Sequence, residues 1–239
     1  MCAHYKYRNG SLAGLVNISG GWLSLTQEDR AVADHLYESL HSPKSTTSGD
    51  AVPVFPGDSA EILVVREGKR EIVLSSYGLI PHFIPKGRTK PSELYNCRDD
   101  SLNGLEVKPS FREAFAKRRC IASISHFEEN LGGNRWLEIH PKGQSQDFFV
   151  AALYNLPHQF CKTTSHALVT TVPNATILPL HDRMPVILDQ AGIDLWLEPT
   201  TPVSVLLSLL IPCPNEWIGE IRERQDPSRR NRRQGGFDF

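Results

Sequence analysis

The chain has 239 residues, 40 % hydrophobic and 22 % charged, with a formal net charge of −1. That length holds one large domain or two small ones, and the composition is that of an ordinary globular protein. The near-neutral balance removes global charge as a signal for nucleic acid or for acidic substrates, so such a surface has to come from local segregation. Segregation is visible at one end. Arg222, Arg224, Arg229, Arg230, Arg232 and Arg233 crowd the last stretch, with Glu223 and Asp226 among them, and are expected to form a solvated end. The five cysteines, Cys2, Cys97, Cys120, Cys161 and Cys213, are widely spaced and contain no CxxC. They read as reduced thiols, not as a disulfide framework or a zinc knuckle. The N-terminus lacks an apolar run of signal-peptide length, and the longest apolar stretch, residues 203–211, is too short to span a bilayer. A cytoplasmic protein is expected.

In chain order, Met1-Cys2 comes first. An initiator methionine before a small residue is usually removed, which would leave Cys2 with a free α-amine and a thiol on adjacent carbons. With reference pKa values of about 7.7–8.0 and about 8.5, both groups are partly deprotonated near neutral pH. Such a 1,2-aminothiol condenses with an aldehyde to an imine, and the thiol then closes a thiazolidine ring. Residues 1–18 alternate weakly around an Asn9-Gly10 turn. A helix opens at Thr26, with Val32, Leu36 and Leu40 as its buried stripe, and runs to about residue 41. Residues 42–50 are polar and turn-rich, and residues 52–56 are extended by their prolines.

Residues 61–65 and 71–76 predict two strands of a hairpin turning at Glu67-Gly68-Lys69. Tyr77-Gly78-Leu79-Ile80-Pro81 ends the second strand in a turn, and Lys86, Arg88 and Lys90 form a basic loop. Tyr95-Asn96-Cys97-Arg98 stands between loops. Ser110 opens a short helix with Glu113 in capping-box register and Phe111 and Phe115 buried. Residues 120–124 form a strand running into Ser125-His126-Phe127-Glu128-Glu129-Asn130. Gly132-Gly133 makes a turn, and residues 136–140 and 148–154 predict a second hairpin. Residues 167–172 are a strand. After His181-Asp182-Arg183 and the apolar run to Leu188, residues 189–197 and 202–210 predict short helices. Many short strands and few helices predict an α+β fold, a curved antiparallel sheet or barrel core with a few peripheral helices. The expected organisation is one domain over residues 1–220 and a basic, flexible tail over 221–239.

No GxSxG, P-loop, HExxH or GxGxxG is present, which removes the commonest hydrolase, nucleotide and zinc-peptidase readings. Polar groups instead stand at the ends of apolar strands and turns: Cys2, Asn96, Arg98, Glu128-Glu129 and His181. In a strand, Glu128 and Glu129 point to opposite faces, so one of them at most faces Cys2.

Cys2, Tyr77-Gly78-Leu79-Ile80-Pro81, Asn96-x-Arg98, Arg119-Cys120 with Glu129 nine residues beyond Cys120, and His181-x-Arg183-Met184-Pro185-Val186-Ile187-Leu188 resemble, in order and spacing, the motifs of the SOS-response-associated peptidase (SRAP) family. The resemblance runs from residue 2 to about residue 196. It implies a protein that captures abasic sites in single-stranded DNA, its N-terminal cysteine forming a thiazolidine with the ring-opened deoxyribose aldehyde. By similarity, Asn96 orients the Cys2 amine or the sugar, Glu129 moves protons during imine formation and ring closure, and His181 assists sugar opening or later proton transfers. The same four residues would remove Met1 autocatalytically. Arg98 would hold a phosphate beside the lesion, with His4, Lys86, Arg88, Tyr77 and Arg183 completing the DNA surface. The resemblance implies no cofactor, no metal, no membrane, a monomer, and a location beside DNA, nucleoid-associated in a bacterium and nuclear in a eukaryote.

The chain departs from the family pattern at Ala3, His4, Tyr77, Glu128 and Asn130. Glu128 and Asn130 stand where aromatic residues flank the glutamate, which removes stacking platforms for unstacked bases, each worth roughly 1–3 kcal/mol. These departures favour an alternative, a divergent member that keeps the fold as a weak nucleic-acid or partner-binding module. A processing peptidase acting on other proteins through an N-terminal cysteine is the third reading, and no peptide-specificity pocket is legible for it.

Overall fold

A computed structural model of the chain describes residues 4–16, 51–83, 90, 93–102, 108–132, 135–143 and 147–225. Cys2, Lys86, Arg88, the helix expected over 26–41, the loop expected over 42–50 and the arginines beyond residue 225 lie outside the described residues.

The described chain starts with strand β1 (His4–Tyr7) and a single helical turn, α1 (Ala13–Val16). β2 (Val52–Val54), β3 (Ser59–Arg66) and β4 (Lys69–Tyr77) follow. β3 and β4 form the expected hairpin, paired from Ser59↔Ser76 to Arg66↔Lys69. Its two-residue turn puts Glu67 at φ 51° and Gly68 at φ 75°. Positive φ at both central residues matches the turn's twist to that of the strands, and only Gly68 adopts it without a steric cost.

Then come β5 (Asn96–Arg98), a 3-10 turn (Asp99–Ser101), α2 (Pro109–Lys117), β6 (Arg119–Ile124), β7 (His126–Gly132), β8 (Arg135–Pro141) and β9 (Phe148–Asn155). The last elements are β10 (Ser165–Thr171), β11 (Met184–Pro185), α3 (Gln190–Leu197), α4 (Val203–Ser208), a 3-10 turn (Asn215–Trp217) and β12 (Ile218–Gln225). This is the expected mixed α+β class, mostly antiparallel and with few helices. The strands form two sheets where one was expected. A five-stranded sheet has the order β12-β8-β7-β1-β2. A seven-stranded sheet has the order β11-β10-β4-β3-β6-β9, with β5 on β10 and a further pairing of β10 with β9. β10 pairs in parallel with β4 and β5, against the otherwise antiparallel rule.

Strand alternation explains how the layers pack. Ile62 and Val64 of β3, Cys120, Ala122 and Ile124 of β6, and Val150, Ala152 and Tyr154 of β9 join Tyr5, Tyr7, Phe127 and Ile139 of the five-stranded sheet in one core. Their neighbours Leu63, Ile121, Ala151 and Leu153 face the other way, into a second core with Phe111 and Phe115 of α2, Trp196 of α3 and Leu206 of α4. Strands covered on both faces are apolar along their middles, as Cys120 to Ala122 of β6 and Phe148 to Leu153 of β9 are. Arg119 ties the helical layer to β6. Its guanidinium donates to Trp196 O (2.7 Å), Phe115 O (2.9 Å), Ala116 O (3.1 Å) and Glu198 O (2.7 Å).

Three local expectations change. The hairpin expected between residues 136–140 and 148–154 does not form. β8 pairs with β7 and β12, whereas β9 pairs with β6 and β10. The reason is burial: β8 has a half-polar face and suits a sheet covered on one side, while β9 is apolar on both faces. Helix α2 starts at Pro109 with no side-chain cap, and Glu113 serves instead as partner to Arg118 at 2.9 Å. Of the stretch expected as a tail, Ile221 to Gln225 pair with β8 and carry Arg222 and Arg224 onto the sheet.

Candidate functional site

β1 and β7 run antiparallel, with His4 opposite Glu128, Tyr5 opposite Phe127 and Lys6 opposite His126. Alternation along β7 sends Phe127 and Glu129 to the inter-sheet core, and His126 and Glu128 to the opposite face. The two adjacent glutamates are thereby given opposite environments.

Glu128 is fully buried among basic side chains. His4 Nε2 and Arg224 Nη2 bond its Oε2, and Lys6 Nζ lies 4.0 Å from its Oε1. Burial pushes this carboxyl up, but His126, His4 and Arg224 together outweigh burial and hold it well below the usual carboxylate range. Glu128 is therefore a permanent anion.

Glu129 is 1 % exposed. Burial raises its pKa from 4.5 to about 7, so it holds and releases a proton near neutrality. His181 Nε2 lies 3.5 Å from its Oε2. His181 Nδ1 lies 3.0 Å from the Arg183 backbone N–H and 3.2 Å from the Arg183 carbonyl oxygen, which hold the ring in place. Burial is the chief cause of a lowered His181 pKa, which favours the neutral ring. A carboxyl with a pKa near 7 beside an imidazole has the chemistry to exchange protons with a ligand.

The segment that carries His181 is built locally. Asn174, buried, accepts from Ile177 N at 3.0 Å through its side-chain oxygen and donates to Cys213 O at 3.0 Å. His181 N then donates to Ile177 O at 3.0 Å, which fixes where the ring starts. Beyond it, Met184 and Pro185 pair as β11 with Thr171 and Thr170. Arg183 is 4 % exposed and donates to Asp99 Oδ1 at 2.6 Å and to Thr170 O. Its guanidinium is spent inside the fold, joining β10 to the turn after β5.

Asn96 opposes Leu168 of β10, and the Tyr77 hydroxyl donates to its Oδ1 at 3.4 Å. Tyr77 is fully buried, stacked on His166 at 5.4 Å and edge-on to Tyr5 at 5.0 Å. Arg98 is exposed, and Asp100 Oδ2 accepts from its Nε at 3.0 Å. His4 is buried between the rings of Phe55 (4.7 Å) and Trp136 (4.4 Å). Of the residues expected from sequence, Glu129 and His181 come into contact, and Asn96 lies against Tyr77. Arg98 and Arg183 bond to aspartates, and His4 turns to Glu128.

Sequence reading missed His166, Asn174, Phe55 and Trp136. His166 has Tyr5 Oη 3.1 Å from Nε2 and Ser75 Oγ 3.0 Å from Nδ1, and burial drives its pKa down to about 3. It is a neutral core residue that holds two tyrosines. A histidine inside the otherwise apolar run of β10 was the available signal. Among the described residues, one trio of possible metal ligands occurs, His126, Glu138 and His140, with ligand atoms within 4.8 Å of one another. It lies on the Glu128 face. No described helix is long and apolar enough to cross a membrane.

Residues 20–222 match the family SOS response associated peptidase (SRAP). The chain is 34 % identical over 149 residues to the abasic site processing protein YoqW of Bacillus subtilis, covering 57 % of this chain and 62 % of that protein. It is 32 % identical over 142 residues to YoaM of the same organism, described likewise as an abasic site processing protein, covering 57 % and 61 %. The match thus spans somewhat under two thirds of these relatives' length. In fold, it resembles a crystal structure from Bacteroides thetaiotaomicron with TM-score 0.68 and 22 % identity, covering 94 % of this chain and 91 % of that one. A Bordetella bronchiseptica structure follows at TM-score 0.61 and 17 % identity, covering 94 % and 99 %. The family match covers most of the chain, and the chain belongs to the SOS response associated peptidase (SRAP) family.

Proposed function

We propose that this protein processes abasic sites in single-stranded DNA, and that it does so by covalent capture through Cys2 once Met1 has been removed. The observation that carries the reading is the pair formed by Glu129 and His181 at the edge of the inter-sheet core. Cys2 precedes His4 by two residues, so the chain keeps its Cα within about 7 Å of that of His4. β1 is hydrogen-bonded to the strand that bears Glu129. The names of the Bacillus relatives support the substrate class.

The chemistry asks for groups of the kind found. The neutral Cys2 amine adds to the aldehyde carbon of the opened sugar, forming a carbinolamine. Loss of its hydroxyl as water needs a proton, which a carboxyl with a pKa near 7 supplies. The carboxylate then accepts the thiol proton as sulfur adds to the imine carbon, closing the thiazolidine. One water leaves and no oxidant is consumed. Glu129 thereby ends the sequence protonated again, and His181, its Nε2 3.5 Å from Glu129 Oε2, assists the opening of the sugar ring. Asn96 orients the amine or the sugar, and the same groups serve the release of Met1. Arg98, Lys86 and Arg88 are the candidate phosphate contacts, and the protein acts as a monomer where DNA is present.

A specific observation favours the second reading, a divergent member with weak DNA binding. Asp100 already engages Arg98, and Asp99 engages Arg183. One experiment separates the two. Purified protein is incubated with a single-stranded oligonucleotide carrying one abasic site, then analysed by denaturing gel and intact mass. The expected product is a heat-stable adduct on protein lacking Met1, abolished in Cys2→Ala. Soluble wild-type protein that keeps Met1 rules out capture. Protein that lacks Met1 but forms no adduct supports the divergent member.

A further inference from the structure

The face of the five-stranded sheet turned away from the inter-sheet core carries a cluster of buried and half-buried titratable groups. His126 of β7 and Glu138 and His140 of β8 meet there. Phe127 opposes Ile139 and Glu128 opposes Glu138 across the two strands, which brings the neighbouring histidines together. The rings of His126 and His140 stack 4.4 Å apart at 30°. His126 is 6 % exposed.

The hydrogen bonds fix the tautomer of His126. Ser125 Oγ donates its single proton to Lys6 O at 3.0 Å. At its 3.4 Å contact with His126 Nδ1 the serine therefore accepts, and Nδ1 carries the proton. In the neutral ring, Nε2 is left with a bare lone pair. Neither it nor Nε2 of His140 makes a hydrogen bond of ordinary length. Yet His126 Nε2 faces two carboxylates, Glu128 Oε1 at 3.6 Å and Glu138 Oε1 at 3.9 Å. His140 Nε2 faces Glu138 Oε2 at 3.6 Å. Lone pairs directed at carboxylate oxygens repel unless something positive lies between them, either a proton or a metal ion.

We propose that His126, Glu138 and His140 form a binding site for one divalent transition-metal ion of the zinc type. Two imidazole nitrogens and one carboxylate suit zinc and its neighbours. Bonds of about 2.0–2.2 Å in a tetrahedron place ligand atoms about 3.4 Å apart. His126 Nε2 lies 3.9 Å from Glu138 Oε1 and His140 Nε2 lies 3.6 Å from Glu138 Oε2, and with the three ligand atoms within 4.8 Å of one another, side-chain rotation closes them onto one ion. Glu128 Oε1 or water takes the fourth position. Ser125 supplies the outer contact that orients a ligating histidine through its other ring nitrogen. Two cations share the carboxylates, Arg224 with Nε 2.8 Å from Glu138 Oε1 and Lys6 with Nζ at 3.8 Å. They lower the affinity below that of the trio alone. The site lies on the opposite face of β7 from Glu129, and the proposal is independent of Cys2.

The test is a titration of the full chain with Zn²⁺ against a chromophoric chelator, paired with Co²⁺ absorption, in the wild type and in a Cys2→Ser background. The expected result is one equivalent bound in both, with a cobalt spectrum free of thiolate charge transfer. Loss of even outer contacts at metal sites costs about 10–100-fold, so His140→Ala, a change at a partly exposed residue, lowers affinity at least tenfold. Ser125→Ala weakens binding by less. No binding by folded wild-type protein overturns the proposal and leaves a proton as the positive charge in the cluster. Binding that persists in His140→Ala, or a thiolate band, overturns it equally.

Discussion

Replacing Glu129 with glutamine keeps the side chain's size and polarity and removes its titration. In the folded protein this carboxyl holds its proton up to about pH 7, against an ordinary 4.5. Each pH unit of difference is worth about 1.4 kcal/mol, so ionising Glu129 in place costs the fold about 3 kcal/mol. The sign follows from proton binding. The folded state binds this proton more tightly than the unfolded chain. The contribution is therefore fully present below pH 4.5 and is lost as pH rises through 7. Glutamine has no such loss. Urea denaturation of both proteins at pH 4, 5, 6, 7 and 8 yields the stability difference at each pH. That difference should move in favour of Glu129→Gln by about 3 kcal/mol between pH 4 and pH 8, most of it between 4.5 and 7. A difference flat across that window would refute the burial argument, and one of opposite slope would mean that ion pairing outweighs burial. The stabilised variant should be the poorer catalyst. Glu129→Gln should slow adduct formation more than Glu128→Gln, since Glu128 is an anion on the other face. The reverse order would remove Glu129 from the proton-transfer role.

Other perturbations probe the frame around this pair. His166 stays neutral down to about pH 3 in the fold, whereas an unfolded histidine takes up its proton near pH 6.5, so its share of stability is present above 6.5 and lost as pH falls toward 3. Its replacement by glutamine should flatten the acid limb of a stability-against-pH curve by about 3 kcal/mol at pH 4, and an unchanged limb would refute this. Arg119→Met leaves four buried or half-buried carbonyls without their donor and should cost about 3 kcal/mol in urea denaturation. A loss under about 1 kcal/mol would mean that water replaces the guanidinium. If Arg98, Lys86 and Arg88 each neutralise one phosphate, log affinity for single-stranded DNA should fall with log salt at a slope of about −2, and a slope near zero would count against that surface.

Much of the local structure was legible in the sequence because it is decided by near neighbours. The β3–β4 hairpin follows from two strand-forming runs and Gly68, and Phe111 and Phe115 mark the buried face of α2 whatever lies beyond it. Asp189 announces the start of α3 and accepts from Gly192 N at 2.7 Å. The order of the motifs was enough to suggest the family. It also singled out Glu129 and His181, which are 52 positions apart in the chain and 3.5 Å apart in the fold. Alternation alone required Glu128 and Glu129 to part company.

Tertiary structure decided which face each glutamate took and what met it there. His4 and Arg224 come from the two ends of the described chain to make Glu128 a permanent anion, and no local pattern foretells that meeting. Strand pairing likewise gave β8 to β7 and β12, drew Arg222 and Arg224 out of the expected tail, and turned Tyr77 and Arg183 inward. Pairing depends on which faces remain to be covered after the whole chain has collapsed, a property of residues distant in sequence. For the same reason, the sequence set out a carboxyl and an imidazole, whereas the burial that brings the Glu129 pKa to about 7 exists only between two sheets.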